Sequence, residues 1–206
     1  KTISEKIQGG MNPIAYNGMP TNMPFYKASV EKYEYNPAKA KSLIKSLGYF
    51  NKVTLTMSTS SLVPKQAEID QAIVGYLKAV GINVKVTKLE VGKFRTTYPD
   101  YDISLNTIAT FNNDPSFSLG LYAGGIGKAI FGWEDAEMDR LFAAQRDDSG
   151  ATRAGKVNKA QTYLWKMART LWVSDENWVF IANKRVKNYE RSPLVGEALV
   201  VNASVS

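Results

Sequence analysis

Apolar side chains recur along this chain with two spacings, a helical one and an alternating one. Ala40, Leu43, Ile44 and Leu47 fall at i, i+3, i+4 and i+7, and Gly48 follows. That spacing predicts a helix capped by Asn36 and opened by Pro37. Val53, Leu55 and Met57 then alternate with Thr54, Thr56 and Ser58, the pattern of a strand. Ile69, Ile73, Leu77 and Val80 mark one stripe of a helix over residues 64–80, which Gly81 stops. Ile82, Val84 and Val86 alternate again. Strand, helix and strand with short joints predict a βαβ crossover, whose two strands run parallel. A short helix near 92–97 leads to a turn at Tyr98-Pro99-Asp100, where proline presets one dihedral. Tyr101, Ile103, Leu105 and Thr107 then alternate with polar residues, predicting one more strand.

On either side of this block the pattern is less regular. Lys1 to Gly10 reads as the tail of a helix, with Ile3 and Ile7 one turn apart and a Gly-Gly stop. Met11 to Tyr35 has no period, and we expect an irregular segment pinned by Tyr16, Phe25, Tyr26 and Tyr33. The strand ending at Thr107 runs into a polar stretch with Thr110, Asn112, Asn113 and Asp114, and Pro115 suits the first turn of a helix. Gly120 to Gly132 reads as a flexible loop. A helix follows with Glu134 and Asp135 in its first turn and Met138, Leu141, Phe142 and Gln145 on its face. A longer helix over 152–173 buries Val157, Leu164, Trp165, Ala168 and Trp172. Trp178 to Ala182 is a continuous apolar run suited to a covered strand, with Lys184, Arg185 and Lys187 at its exposed end. A tail containing Pro193 and Gly196 finishes in a strand over 198–201. The whole predicts an α/β fold, a mixed central sheet of about four to five strands with helices on both faces. Residues 1–35 form an irregular entry and residues 36–206 a single lobe.

Composition narrows the chemistry. The chain of 206 residues contains neither cysteine nor histidine, which excludes disulfides, thiolate catalysis, zinc sites built on those residues and serine–histidine triads. With 26 basic and 19 acidic residues the net charge is +7, enough to favour an anionic surface but ordinary for a solvated one. No apolar run approaches the roughly 18 residues of a membrane helix. The first residue is Lys1, so a fragment or processed product is expected, and the lack of a signal peptide carries no information about location.

Several motifs fail on inspection. Gly127-Lys128 invites a phosphate-loop reading, but Tyr122 stands where the first glycine belongs and Ala129 where a magnesium-holding hydroxyl belongs. Asp147-Asp148-Ser149-Gly150 lacks calcium-loop spacing. The carboxylate pairs Asp100/Asp102 and Asp175/Glu176 offer acid–base chemistry in principle, the basis of a small α/β enzyme as an alternative. Charge with Lys93-Phe94-Arg95 and Trp165-Lys166 is the basis of a nucleic-acid module as another, but those aromatics sit on core-facing stripes. The leading expectation is no catalytic residue, no metal, no cofactor and no nucleic acid. Open α/β sheets place ligands where a strand ends in a polar loop, which singles out the stretch after Thr107.

Five segments, in order, resemble the carboxy-terminal lobe of family 5 extracellular solute-binding proteins. Tyr35-Asn36-Pro37-Ala38-Lys39-Ala40 with Leu47-Gly48-Tyr49 is similar to that family's Y-D-P-x-K-A…A-G-Y helix. Leu77-Lys78-Ala79-Val80-Gly81-Ile82-Asn83-Val84 resembles its L-K-x-x-G-I-x-V junction. Tyr101-Asp102-Ile103 resembles the strand before the ligand loop, Asp114-Pro115 the D-P after it, and Phe131-Gly132-Trp133 through Met138-Asp139 and Leu141 a later helix start.

The resemblance implies a periplasmic-binding-protein-like lobe, about the last third of a two-lobed receptor. It implies a non-catalytic, solute-capturing component of an ABC importer, periplasmic or extracellular. Its partners would be a peptide-like or other small polar ligand, an N-terminal lobe of the same chain and a membrane permease. It assigns the cleft to Thr107, Ile108, Thr110, Phe111, Asn112, Asn113 and Asp114, with Trp133 at the rim. Peptide-binding members commonly carry Gly-Trp and a later aspartate at positions that map to Thr107, Ile108 and Phe111. A phenylalanine cannot supply the charge-assisted bond that a peptide ammonium requires. The departure points toward an uncharged, sugar-like or aromatic ligand.

Overall fold

The computed structural model describes residues 1–27, 33–108, 112–177, 179, 181–191, 198–199 and 203–205. The chain falls into two compact units, Lys1–Gly10 with Lys32–Ile108 and Ile130–Gly132, and Met11–Glu31 with Ala109–Ala129 and Trp133–Ser206.

The first unit is built on the crossover that the alternation predicts. Helix α1 (Pro37–Ser46) begins where the Asn36 side chain accepts the Lys39 N–H at 2.8 Å, satisfying one of the free donors of the first turn. Strand β1 (Val53–Thr59), helix α2 (Gln66–Ala79) and strand β2 (Ile82–Lys88) follow, with β1 and β2 parallel and in register from Val53↔Ile82 to Thr59↔Lys88. Helix α3 (Val91–Thr97) and a 3-10 turn at Tyr98–Asp100 lead to β3 (Ile103–Ser104), which pairs parallel to β1 on its other edge. The order is therefore β2-β1-β3. Only Met57 and Ser58 of β1 are flanked by both neighbours, and both are fully buried. Phe94 of α3 and Ile69 of α2 complete this core, each contributing about 1.5–3 kcal/mol by burial. At the turn into β2, Gly81 has φ +90°, and a Cβ there would sit 2.3 Å from the Phe50 ring. Glycine is required on both counts.

The second unit packs helices α4 (Pro115–Gly120), α5 (Gly124–Phe131, whose last two residues belong to the first unit), α6 (Ala136–Ala144) and α7 (Gly150–Met167). Leu119, Met138, Leu141, Val157, Ala160 and Leu164 form its apolar core. Two glutamines are wholly buried in it. Gln161 receives the side-chain N–H of Asn17 at 3.0 Å and gives its own to the Phe25 carbonyl at 3.0 Å, fastening the entry segment onto α7. Two antiparallel ribbons finish the chain, β4 (Val186–Lys187) with β7 (Ser204–Val205) and β5 (Glu190–Arg191) with β6 (Ala198–Leu199).

The α/β class stands, but several elements differ from the sequence reading. The sheet among the described residues has three strands, all parallel, and the antiparallel pairs are separate ribbons. The strand expected over 101–107 pairs only at Ile103–Ser104. In the expected strand 178–182, Val179 is 73% and Ile181 94% exposed, and neither is in a strand. Apolar composition alone makes no strand without a neighbour to pair with. Trp178, Phe180, Pro193, Gly196 and the end of the last expected strand lie outside the described residues. The α1 stripe is not a core face, since Leu43 and Leu47 are 53% and 63% exposed. Residues 120–132 hold a helix where a flexible loop was expected. Helix α7 ends five residues past Thr162, with Ala168 exposed in the left-handed region (φ 51°). The entry segment buries Ala15, Asn17, Met19 and Met23, while of the aromatics expected to pin it Tyr16, Phe25 and Tyr26 are half-buried and Tyr33 is exposed.

Candidate functional site

The stretch singled out by sequence begins in the first unit. Asp102, just before β3, accepts both the Thr56 amide and the Thr56 hydroxyl at 2.7 Å. These bonds hold its carboxyl below the usual carboxylate range. This carboxylate fastens β3 to the middle of β1, so it is not free to act as an acid–base partner of Asp100. Ser104 Oγ lies 2.5 Å from Ser58 Oγ and donates to the Tyr98 carbonyl at 3.0 Å. Beyond β3, the exposed Thr107 donates its N–H to the Asn106 side chain at 2.9 Å, and Ile108 is half-buried.

Thr110 and Phe111 lie outside the described residues. The segment resumes in the second unit, where Asn112 and Asn113 are exposed and Asn112 Oδ1 accepts the Asp114 N–H at 3.2 Å. Asp114 is far more engaged than a free ligand contact would be. It caps α4 by accepting the Ser116 N–H at 2.8 Å, and Arg153 grips both its oxygens, at 2.9 and 2.6 Å. The guanidinium also reaches Gln145 Oε1 at 3.1 Å and Ser116 Oγ at 2.9 Å. A bidentate ion pair on a capping carboxylate favours the charged form strongly. The Asp114 carboxyl is accordingly pushed down to about 2 by the Arg153 bonds, with the Ser116 bonds helping against partial burial. Sequence reasoning missed Arg153, Gln145 and Ser116. Arg153 is 39 residues from Asp114 along the chain, and no local spacing connects them.

Trp133 is half-buried, and the Arg169 guanidinium sits 5.2 Å from its ring centroid. Two residues on, Asp135 caps α6 through the Met138 N–H at 2.9 Å and accepts the Tyr163 hydroxyl at 2.9 Å. Asp175, the other carboxylate of interest, accepts the Thr21 N–H at 3.0 Å, and burial raises its pKa. Phe94 and Trp165 are packing residues, Phe94 fully buried and Trp165 stacked on Trp172 at 6.3 Å. Among the described residues no group of three or more His, Cys, Asp or Glu side chains is placed to hold a metal ion.

Comparison with known proteins places this arrangement. A sequence profile described as bacterial extracellular solute-binding proteins, family 5 Middle, matches residues 1–129. The chain belongs to this family. Among family relatives, it is 25% identical over 197 residues to di/tripeptide-binding protein 4 of Pseudomonas aeruginosa, covering 91% of this chain and 36% of that protein. It is also 25% identical over 195 residues to the glutathione-binding protein GsiB of Pectobacterium atrosepticum, covering 89% and 38%. The chain thus spans little more than a third of the length of these relatives. The fold is that of solved family-like structures. The dipeptide binding protein from Pseudoalteromonas sp. SM9913, in complex with Met-Leu, superposes with a TM-score of 0.80 at 17% identity, over 100% of this chain and 42% of that one. The periplasmic binding protein DppA from Helicobacter pylori, in complex with the peptide STSA, gives 0.74 at 22% identity, over 83% and 35%. These likenesses establish a periplasmic-binding-protein-like α/β fold. Among the described residues no helix is long and apolar enough to cross a membrane.

Proposed function

We propose that this chain is a solute-capturing part of a two-lobed receptor that delivers its ligand to the membrane permease of an ABC importer, in the periplasm or outside the cell. Family membership over residues 1–129 is the observation that carries this reading. Residues 36–206 would form one lobe, and a further lobe of the same protein would supply the opposing wall. The role is binding, without catalysis. Relatives named for di/tripeptide and glutathione binding make a peptide-like or other small polar solute the favoured ligand class. Closure follows from a ligand that touches both lobes and so stabilises the closed state.

Ligand contacts are assigned to Thr107, Ile108, Thr110, Phe111, Asn112 and Asn113, with Trp133 at the rim. Asp114 acts by holding the start of α4 through Arg153, and its oxygens are not spare for a ligand. Phe111 serves as an apolar or stacking contact, so simple unblocked dipeptides bind poorly and Phe111→Asp improves their binding, at a cost of a few kcal/mol in the empty protein. Tight binding of free dipeptides by the unmodified receptor contradicts this assignment.

Calorimetry tests the two-lobed reading. A receptor binding at about 1 μM has roughly −8 kcal/mol to share between its walls, and losing half leaves millimolar affinity or weaker. This chain alone is expected to bind the same ligand about a thousandfold more weakly than the two-lobed receptor, about 4 kcal/mol. Equal affinities would mean that the whole site lies within these residues.

A further inference from the structure

Within the second unit, α4, α5 and α6 surround a concavity of about 510 Å³, inside the range of small-molecule sites. Phe117, Leu121, Ile126 and Phe142 supply most of its wall, and Gly124 and Gly125 leave room at the start of α5. Ile126 is 56% exposed although it lies beside this apolar surface. Two polar side chains line it. The Ser116 hydroxyl is taken up by Arg153 and Gln145. Asp139 is different: its Oδ1 accepts the Gly124 N–H at 2.5 Å, and its Oδ2 accepts nothing from the described residues. Asp139 is the one ionisable residue among those lining the concavity, and it has no ion-pair partner among the described residues.

An apolar hollow with one half-engaged carboxylate is complementary to a cation carried on an apolar body. An anion would meet Asp139 unfavourably, and a neutral apolar molecule would leave its free oxygen without a donor. We propose that this concavity is a binding site for a primary ammonium on an apolar body, with Asp139 Oδ2 receiving the ammonium and the side chains of Phe117, Leu121, Ile126 and Phe142 receiving the apolar part. The charge gives selectivity, because the amine and its neutral isostere bury the same apolar surface and differ only in the bond to Asp139. The site does not depend on the receptor reading, since every lining residue lies in the second unit.

The test uses three probes with the same phenethyl body on the purified chain, followed by amide NMR at low salt: phenethylammonium, its isostere 2-phenylethanol, and 3-phenylpropionate. Phenethylammonium is expected to shift the Gly124, Gly125 and Ile126 amides saturably and to bind about tenfold or more tighter than the alcohol, with the carboxylate weakest. Asp139→Asn keeps an acceptor for the Gly124 N–H and is expected to bring the amine down to the affinity of the alcohol. Gly125→Leu, where a Cβ meets nothing within 4 Å, fills the hollow and is expected to weaken amine and alcohol together. Equal binding of the three probes, amine binding unchanged by Asp139→Asn, or shifts confined to residues outside the concavity would each overturn the proposal. Should Asp139→Asn fail to fold, the probe order and Gly125→Leu decide it alone.

Discussion

Replacing Arg153 by methionine tests the idea that Asp114 is a structural carboxylate holding the polar segment against the helices behind it. The drop of the Asp114 pKa from 3.8 to about 2 corresponds to about 2.4 kcal/mol of preference for the charged form. Asp114 is 44% exposed and Arg153 18%, so water screening brings the pair itself to about 1 kcal/mol. Methionine also strips a donor from the buried Gln145 Oε1, adding about 1 kcal/mol. Urea unfolding at neutral pH should therefore place Arg153→Met about 2 kcal/mol below the unmodified chain. Asp114→Asn keeps an acceptor for the Ser116 N–H and removes only the charge. A double-mutant cycle between the two should give a coupling of about 1 kcal/mol. The folded pKa is depressed, so this contribution is fully present above 3.8 and is lost as pH falls through about 2. In Arg153→Met the carboxyl-carbon titration of Asp114 should move back up. A coupling below about 0.3 kcal/mol, or an Asp114 that titrates near 3.8 in the unmodified chain, would refute the reasoning.

Asp70 behaves in the opposite sense: it is buried, bonded to the Thr59 hydroxyl through Oδ2, with Oδ1 unpaired among the described residues, and burial raises its pKa. Its ionisation therefore destabilises the fold as pH rises through its folded pKa, and Asp70→Asn should raise the melting temperature at neutral pH and flatten its decline, whereas an unchanged pH profile counts against this. Gly81→Ala should cost at least about 2 kcal/mol in urea unfolding, from left-handed strain and displacement of Phe50, and a loss under about 0.5 kcal/mol would contradict the geometry. Tyr122→Phe removes the hydroxyl that accepts the Trp172 indole N–H at 3.0 Å. It should cost about 1–2 kcal/mol and alter tryptophan emission, and a neutral variant with unaltered emission would argue against that bond.

What could be read from the sequence was local. The β1-α2-β2 crossover followed from alternation, a 3.6-residue stripe and a glycine stop, the cap at Asn36 from a polar residue before proline, and the start of α4 from Pro115. Helix α5 escaped because its reasons are tertiary. Asp139, 15 residues away, accepts its first N–H, and Gly127 is needed where a Cβ would meet the Tyr122 backbone at 3.0 Å. A glycine-rich stretch reads as a loop until those neighbours are known. Gln145 was legible on the inward face of its helix, but Gln66 and Gln161 were invisible as core residues, since a buried amide is tolerated only when its partners are in place. In the candidate site, the presence of a strand and the helix start at Pro115 were legible, while the early end of that strand at Ser104 and the ion pair that commits Asp114 to structure were not.

As the proposed part of a receptor, this chain should contribute to the capture of a small solute. Native mass spectrometry of the protein purified from its own host, compared before and after denaturation, tests it most directly. A discrete small solute, peptide-like or similarly polar, released on unfolding and rebinding after refolding is the predicted result. Protein that carries no solute from its host, and that after refolding binds none of the small molecules recovered from that host's medium, would contradict it.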